Sequence, residues 1–223
     1  NERSVEEEWQ AMQNQIELYK LINSSVFIFA DVSGSIQREP KIPLSKRPRL
    51  KDNDWSNYCN KISEIAKRLS DIGLPMSYHE HMGTIIQSEQ DIYRLLDNTD
   101  DKTSLLFDTG HIFFAEGDYE SILKKYVSRV NHVHCKDIRK EILNKSLSND
   151  LSFRDSFLEG VFTVPGDGYI NYKPLFETLY DNKYSKWLIV EAEQDPKKAN
   201  PLKYAKIGYK YLNKILTEVG YKI

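Results

Sequence analysis

Short apolar runs that turn polar at their C-terminal ends recur along this chain, separated by segments with helical spacing. Val26, Phe27, Ile28, Phe29 and Ala30 lead into Asp31, and Pro75 and Met76 lead into His79, Glu80 and His81. Leu105, Leu106 and Phe107 end on Asp108, residues 131–139 carry His132, His134 and Lys136, and Trp187 to Val190 close on Glu191 and Glu193. Continuous apolar runs of this length are typical of strands covered on both faces in a parallel sheet. Between them the spacing predicts helices. Ser4 with Glu7 forms a capping box ahead of an opening helix through Leu21, and residues 55–72 are amphipathic and stop at Gly73. Ser88 with Asp91 opens a third helix, residues 118–127 and 174–180 make two more, and residues 201–219 the last. Residues 37–53 hold Pro40, Pro43 and Pro48 among charges and predict a long loop. Thr109, Gly110 and His111 predict a turn. Residues 141–162 show no strand pattern and are expected to be irregular or mobile, at the mouth of any site.

Strand, loop and helix thus alternate five times, which implies an α/β fold with a parallel sheet or barrel. All of the polar groups fall at the C-terminal ends of strands, where a (β/α)8 barrel places its catalytic residues. A doubly wound sheet would gather them at one switch point instead. In an extended strand His132, His134 and Lys136 share a face, opposite Val133 and Cys135.

Composition narrows the partners. With 31 basic and 33 acidic residues the net charge is -2, too little positive charge for a nucleic-acid binder. Cys59 and Cys135 match no metal or redox spacing and read as reduced thiols. No apolar run approaches the roughly 20 residues that cross a bilayer, and no signal-peptide pattern leads the first helix. The expectation is one cytoplasmic domain over residues 1–223 that acts on a small molecule.

Collected from four strand ends, His79, Glu80, His81, Asp108, His111, His132, His134, Lys136, Glu191 and Glu193 make a mixed nitrogen and oxygen donor set, suited to a divalent metal. The plain alternative is a polar barrel mouth held by hydrogen bonds and ion pairs, but clustered carboxylates without a cation repel one another. Five ordered motifs then resemble one family: Tyr-His-Glu-His-Met-Gly-Thr at 78–84, Phe-Asp-Thr-Gly-His at 107–111, His-Val-His-Cys-Lys-Asp at 132–137, Gly-Val-Phe-Thr-Val-Pro-Gly-Asp-Gly at 160–168 and Val-Glu-Ala-Glu-Gln-Asp-Pro at 190–196. They resemble the inosose dehydratases of myo-inositol catabolism, in the xylose isomerase-like TIM-barrel superfamily.

The resemblance implies one divalent ion, manganese or cobalt foremost and zinc or magnesium as alternatives, held by a residue from each of four successive strands. Asp108, His134 and Glu191 match the last three positions. His79 matches the first, where the superfamily usually has glutamate, and Glu80 is its rival. The implied reaction removes water from 2-keto-myo-inositol through an enediolate. Glu193 is expected as base or as a partner of the metal ligands, with His81 and Lys136 as donors and Glu80 as a further catalytic candidate. A ketose isomerase or epimerase with the same metal is the alternative activity. The family also carries further βα units ahead of the first helix seen here. The chain is therefore expected to form the C-terminal five units of a barrel, an open arc whose edges invite a homo-oligomer or leave an inactive fragment.

Overall fold

The computed structural model describes residues 3–222. The opening helix is two helices, α1 (Val5–Ala11) and α2 (Gln13–Leu21), meeting at the buried Met12. Ser4 caps α1 as its spacing predicts, accepting from Glu7 N at 3.2 Å while the Glu7 carboxylate accepts from Ser4 N at 2.7 Å. Strand β1 (Phe27–Phe29) follows, then a loop to residue 54 broken only by two short 3-10 turns. Helix α3 (Trp55–Asp71) ends ahead of Gly73, and β2 (Met76–His79) follows. Helix α4 (Glu89–Asp97) begins at a second capping box, and β3 (Ser104–Asp108) runs directly into α5 (Thr109–Phe114). Then come α6 (Tyr119–Tyr126), β4 (Val130–Cys135) and a two-residue β5 (Asp137–Ile138).

Two expectations are corrected in this part of the chain. Thr109 to His111 is the first turn of α5, because Asp108 caps it: Asp108 Oδ1 accepts from Gly110 N and His111 N, both at 2.9 Å. Residues 141–162 are not irregular; they form α7 (Lys140–Ser148), α8 (Phe153–Glu159) and the start of β6 (Phe162–Thr163). Ile142, Leu143 and Ser146 turn one face of α7 inward, Ser152 caps α8 by accepting from Asp155 N at 3.0 Å, and Gly160 ends it at φ +94. Helix α9 (Tyr172–Asp181), β7 (Leu188–Val190) and α10 (Pro201–Val219) complete the chain.

The main sheet is parallel throughout, in the order β1-β2-β3-β4-β7, and β5 pairs with β6 antiparallel. It is the open five-stranded arc expected from the resemblance. Phe27, Phe29, Met76, Tyr78, Leu105, Phe107, Val133 and Cys135 pack in one core with Tyr58, Ile62, Leu69, Ile92, Leu95 and Ile122 from the helices. Each large apolar side chain buried there contributes roughly 1.5–3 kcal/mol. The alternate strand positions, among them Ile28, Ser77, Leu106 and Ile189, lie outside that core on the other face, the one that leads up to the site. No helix among the described residues is long and apolar enough to cross a membrane.

The 160–168 motif builds support rather than a ligand set. Arg139 donates to Gly160 O at 2.9 Å, Phe162 O at 3.1 Å and Asp167 Oδ2 at 2.8 Å, while Asp137 Oδ1 accepts from Ile138 N at 2.8 Å and Ile170 N at 2.9 Å. Gly168 lies so close that a Cβ there would run into the Asp137 carboxylate. Gly168→Ala is therefore expected to destabilise the fold by about 1–3 kcal/mol through overpacking. Urea unfolding measures it, and an unchanged midpoint would show that the loop yields without cost.

Candidate active site

Four strands deliver the site. His79 ends β2, Asp108 ends β3, His134 stands opposite Asp108 in the β3–β4 register, and Glu191 follows β7 with its N–H donating to Cys135 O at 3.2 Å. Asp108 Oδ2 lies 3.5 Å from His79 Nε2 and 3.4 Å from His134 Nδ1, and His134 Nδ1 lies 2.7 Å from Glu191 Oε2. All four of these atoms are buried, and none makes a hydrogen bond within the described residues. A single buried polar atom left in that state costs about 1–3 kcal/mol. Lys136 Nζ, 3.4 Å from Asp108 Oδ2 and 3.1 Å from Glu191 Oε2, offsets part of that cost, and a cation shared by all four atoms would offset the rest.

That donor set, two imidazole nitrogens and two carboxylate oxygens, suits a divalent cation of the manganese, cobalt or zinc kind. The ligand atoms of Asp108, His134 and Glu191 lie within 4.8 Å of one another, as do those of His79, Asp108 and His111. Glu80 stands apart from both groups. It is fully buried with neither oxygen hydrogen-bonded, and burial together with the Asp108 charge holds its carboxyl well above the usual range.

The electrostatics favour positive charge at the same point. Burial opposes charge on His134, but Asp108 and Glu191 outweigh it and carry its pKa up to about 9. Burial pushes His132 down to about 4, with His134 and His79 adding to the effect, so that ring stays neutral behind His134, 5.3 Å away between centroids.

A second cluster adjoins the first. Lys136 is fully buried, with Nζ 2.8 Å from Glu193 Oε2, 3.1 Å from Glu191 Oε2, 3.4 Å from Asp108 Oδ2 and 2.9 Å from His111 Nε2. Burial works against its charge, yet the three carboxylates outweigh burial and hold it above the usual lysine range, protonated. Glu193 is half-buried, and although burial opposes its charge, the Lys136 ammonium against it keeps it ionised, well below the usual carboxylate range. His111 is driven down to about 3 by burial and then by His81 and Lys136, so it faces Lys136 neutral and accepts from its ammonium. The start of α5 makes room for the lysine: a Cβ on Gly110 would lie 2.6 Å from Lys136 Cγ, and Thr109 Oγ1 donates to Lys136 O at 2.7 Å.

His81 Nδ1 lies 2.8 Å from Met82 O, and a carbonyl only accepts, so Nδ1 carries the proton. Nε2 is left toward Glu193 Oε1, 3.8 Å away, beyond hydrogen-bond reach. A cavity of about 530 Å³ opens here, lined by Gln37, Arg38, His81, Phe153, Arg154, Phe157 and Glu193.

Of the residues singled out in the sequence, His79, His81, Asp108, His111, His134, Lys136, Glu191 and Glu193 come together here, while Glu80 and His132 join no group of ligand atoms among the described residues. His111 was legible as a strand-end histidine, but its contact with Lys136 was not. Phe153 gives no signal in the sequence, because it arrives from a stretch that reads as loop, and Phe162 shows only as one position of the 160–168 motif. Phe162 lies under the Lys136 ammonium, 4.9 Å from Nζ to the ring centre.

Comparison with known proteins agrees with this architecture. A family model described as the xylose isomerase-like TIM barrel matches residues 1–215. The rhizopine catabolism protein MocC of Rhizobium meliloti is 38% identical over 222 residues, spanning 100% of this chain and 68% of that protein. An inosose dehydratase of Lactiplantibacillus plantarum is 39% identical over 216 residues, spanning 96% and 72%. Among solved structures, a crystal structure of the IOLI protein with a binding zinc atom superposes with a TM-score of 0.68 at 13% identity, covering 96% of this chain and 70% of that one.

Proposed function

The chain belongs to the xylose isomerase-like TIM-barrel family, and on that premise we propose that it is a metal-dependent hydro-lyase that removes water from 2-keto-myo-inositol. The observation that carries the reading is the approach of His79 Nε2 and His134 Nδ1 to Asp108 Oδ2, with Glu191 Oε2 against His134, in a chain 39% identical to an inosose dehydratase. These four residues would hold one divalent ion, which when bound supplies Lewis acidity toward a ketone or hydroxyl oxygen.

The chain's own residues supply the proton chemistry. The ion pair with Lys136 keeps Glu193 ionised and for the same reason makes it a poor base. We therefore assign Glu193 to holding Lys136 and His111 in place. His81 turns Nε2 toward the cavity while Met82 O holds Nδ1–H, so in its neutral form it is the group placed to take the proton next to the ketone. Lys136 is an ammonium buried against the same cluster, placed to stabilise the enediolate charge or to donate to the departing hydroxyl. Phe153 and Phe157 on the cavity wall limit the water that reaches these groups.

Incubation with 2-keto-myo-inositol tests the reading by the mass of the product. A product lighter by one water is expected. A product of unchanged mass would mean an isomerase or epimerase, and no product at all would remove the assignment.

A further inference from the structure

Helix α8 reaches into the site through its first residue. Phe153 is 5% exposed, and its ring centre lies 5.0 Å from that of His81 and 5.8 Å from that of His111. The two imidazoles are themselves 3.9 Å apart and tilted by 43°, and Phe162 closes on His111 at 5.2 Å from the other strand pair. His81 thus sits between an aromatic wall and a second imidazole. Among the described residues its ring makes one hydrogen bond, from Nδ1 to Met82 O. One bond leaves the terminal torsion of a histidine poorly fixed, since that torsion is intrinsically broad.

Phe153 is itself held by contacts distant in sequence. Leu44 N donates to Leu151 O at 3.2 Å, and Ser45 N donates to Asp150 Oδ1 at 3.1 Å, so the loop at 37–53 clasps the turn between α7 and α8. Ser152 then caps α8 and sets the direction of Phe153.

Resting on the proposed reaction, we propose that Phe153 is a positioning residue whose ring keeps His81 and His111 stacked, so that His81 Nε2 stays aimed into the cavity beside Glu193. An aromatic face restricts the imidazole tilt that the single hydrogen bond leaves free. Misplacement of a proton-transfer group by an ångström costs up to about a hundredfold in rate while substrate contacts elsewhere persist. The effect therefore falls on kcat more than on KM.

Phe153→Leu keeps an apolar side chain and removes the flat ring, and Phe153→Tyr keeps the ring. In zinc-loaded protein with labelled histidines, the imidazole resonances of His81 and His111 are expected to shift in Phe153→Leu and to stay near the parent values in Phe153→Tyr. His132, whose ring contact is with His134, serves as the unmoved control. With 2-keto-myo-inositol, kcat of Phe153→Leu is expected to fall about tenfold with KM within about threefold, and Phe153→Tyr to recover most of the rate. Unmoved His81 and His111 resonances, or equal losses in the two variants, would overturn the proposal. The resonance shifts need no turnover. Shifts in protein that dehydrates nothing would uphold the positioning and sink only the substrate assignment.

Discussion

Asp108→Asn is expected to cost at least about a hundredfold in both divalent-metal affinity and turnover, while leaving the fold standing. The lower bound comes from metal-site partners outside the coordination shell, whose loss alone costs about 10–100-fold; Asp108 stands inside the proposed shell. Its two oxygens have separate duties. Oδ1 caps α5 through Gly110 N and His111 N, and Oδ2 faces His79, His134 and Lys136 with no hydrogen bond. Asparagine keeps an acceptor for the cap and turns an amide nitrogen toward the other three groups. That nitrogen binds no metal and meets the Lys136 ammonium unfavourably. Titration calorimetry with manganese or cobalt, alongside thermal unfolding, separates the two duties. Affinity within threefold of the parent would remove Asp108 from the ligand set.

The second large effect is on stability. Lys136→Met leaves Asp108, Glu191 and Glu193 together without their buried cation, and breaking a buried ion pair from one side costs about 3–5 kcal/mol. The pH dependence follows from the direction of the shifts. The Lys136 pKa is raised above 10.5 in the folded chain, so its stabilisation is full below about 10.5 and is lost as pH rises beyond it. The Glu193 pKa is lowered from 4.5, so its stabilisation is present above about 4.5 and is lost as pH falls further. The deficit of Lys136→Met should therefore be largest near neutral pH and shrink in acid, where the carboxyls of the variant can protonate. Urea unfolding at pH 7 and pH 4 measures it. A deficit independent of pH would mean that Lys136 contributes packing and not charge.

Much of the fold was legible because each main-sheet strand is an apolar run with a polar end, and because Ser4, Ser88 and Gly73 punctuate the helices by local chemistry. Strand alternation likewise placed His79, His134 and Lys136 toward the site. What the chain does not display locally was missed. The amphipathic face of α7 is short, and α8 is stopped by Gly160 and clasped by Ser45 and Leu44 from more than 100 residues away, so 141–162 reads as loop. The pairing of Asp108 with His134 depends on a register shift between Leu105 and Leu106, which no period in the sequence reveals. By sequence His111 ends a turn, since the cap that makes it helical is the Asp108 side chain assigned to the metal. On sequence alone His79 is preferred as the first ligand, with Glu80 its rival. They differ in three dimensions, where His79 Nε2 lies 3.5 Å from Asp108 Oδ2 and Glu80 joins no group of ligand atoms among the described residues.

The requirement for one divalent ion, held by His79, Asp108, His134 and Glu191, in dehydrating 2-keto-myo-inositol follows from the proposed function. It is tested most directly by stripping the protein with a chelator, restoring manganese or cobalt in steps, and measuring bound metal and turnover in the same samples. Turnover should rise in proportion to occupancy and level off at one ion per chain. Turnover that persists in the stripped protein, or that ignores the restored metal, would contradict it.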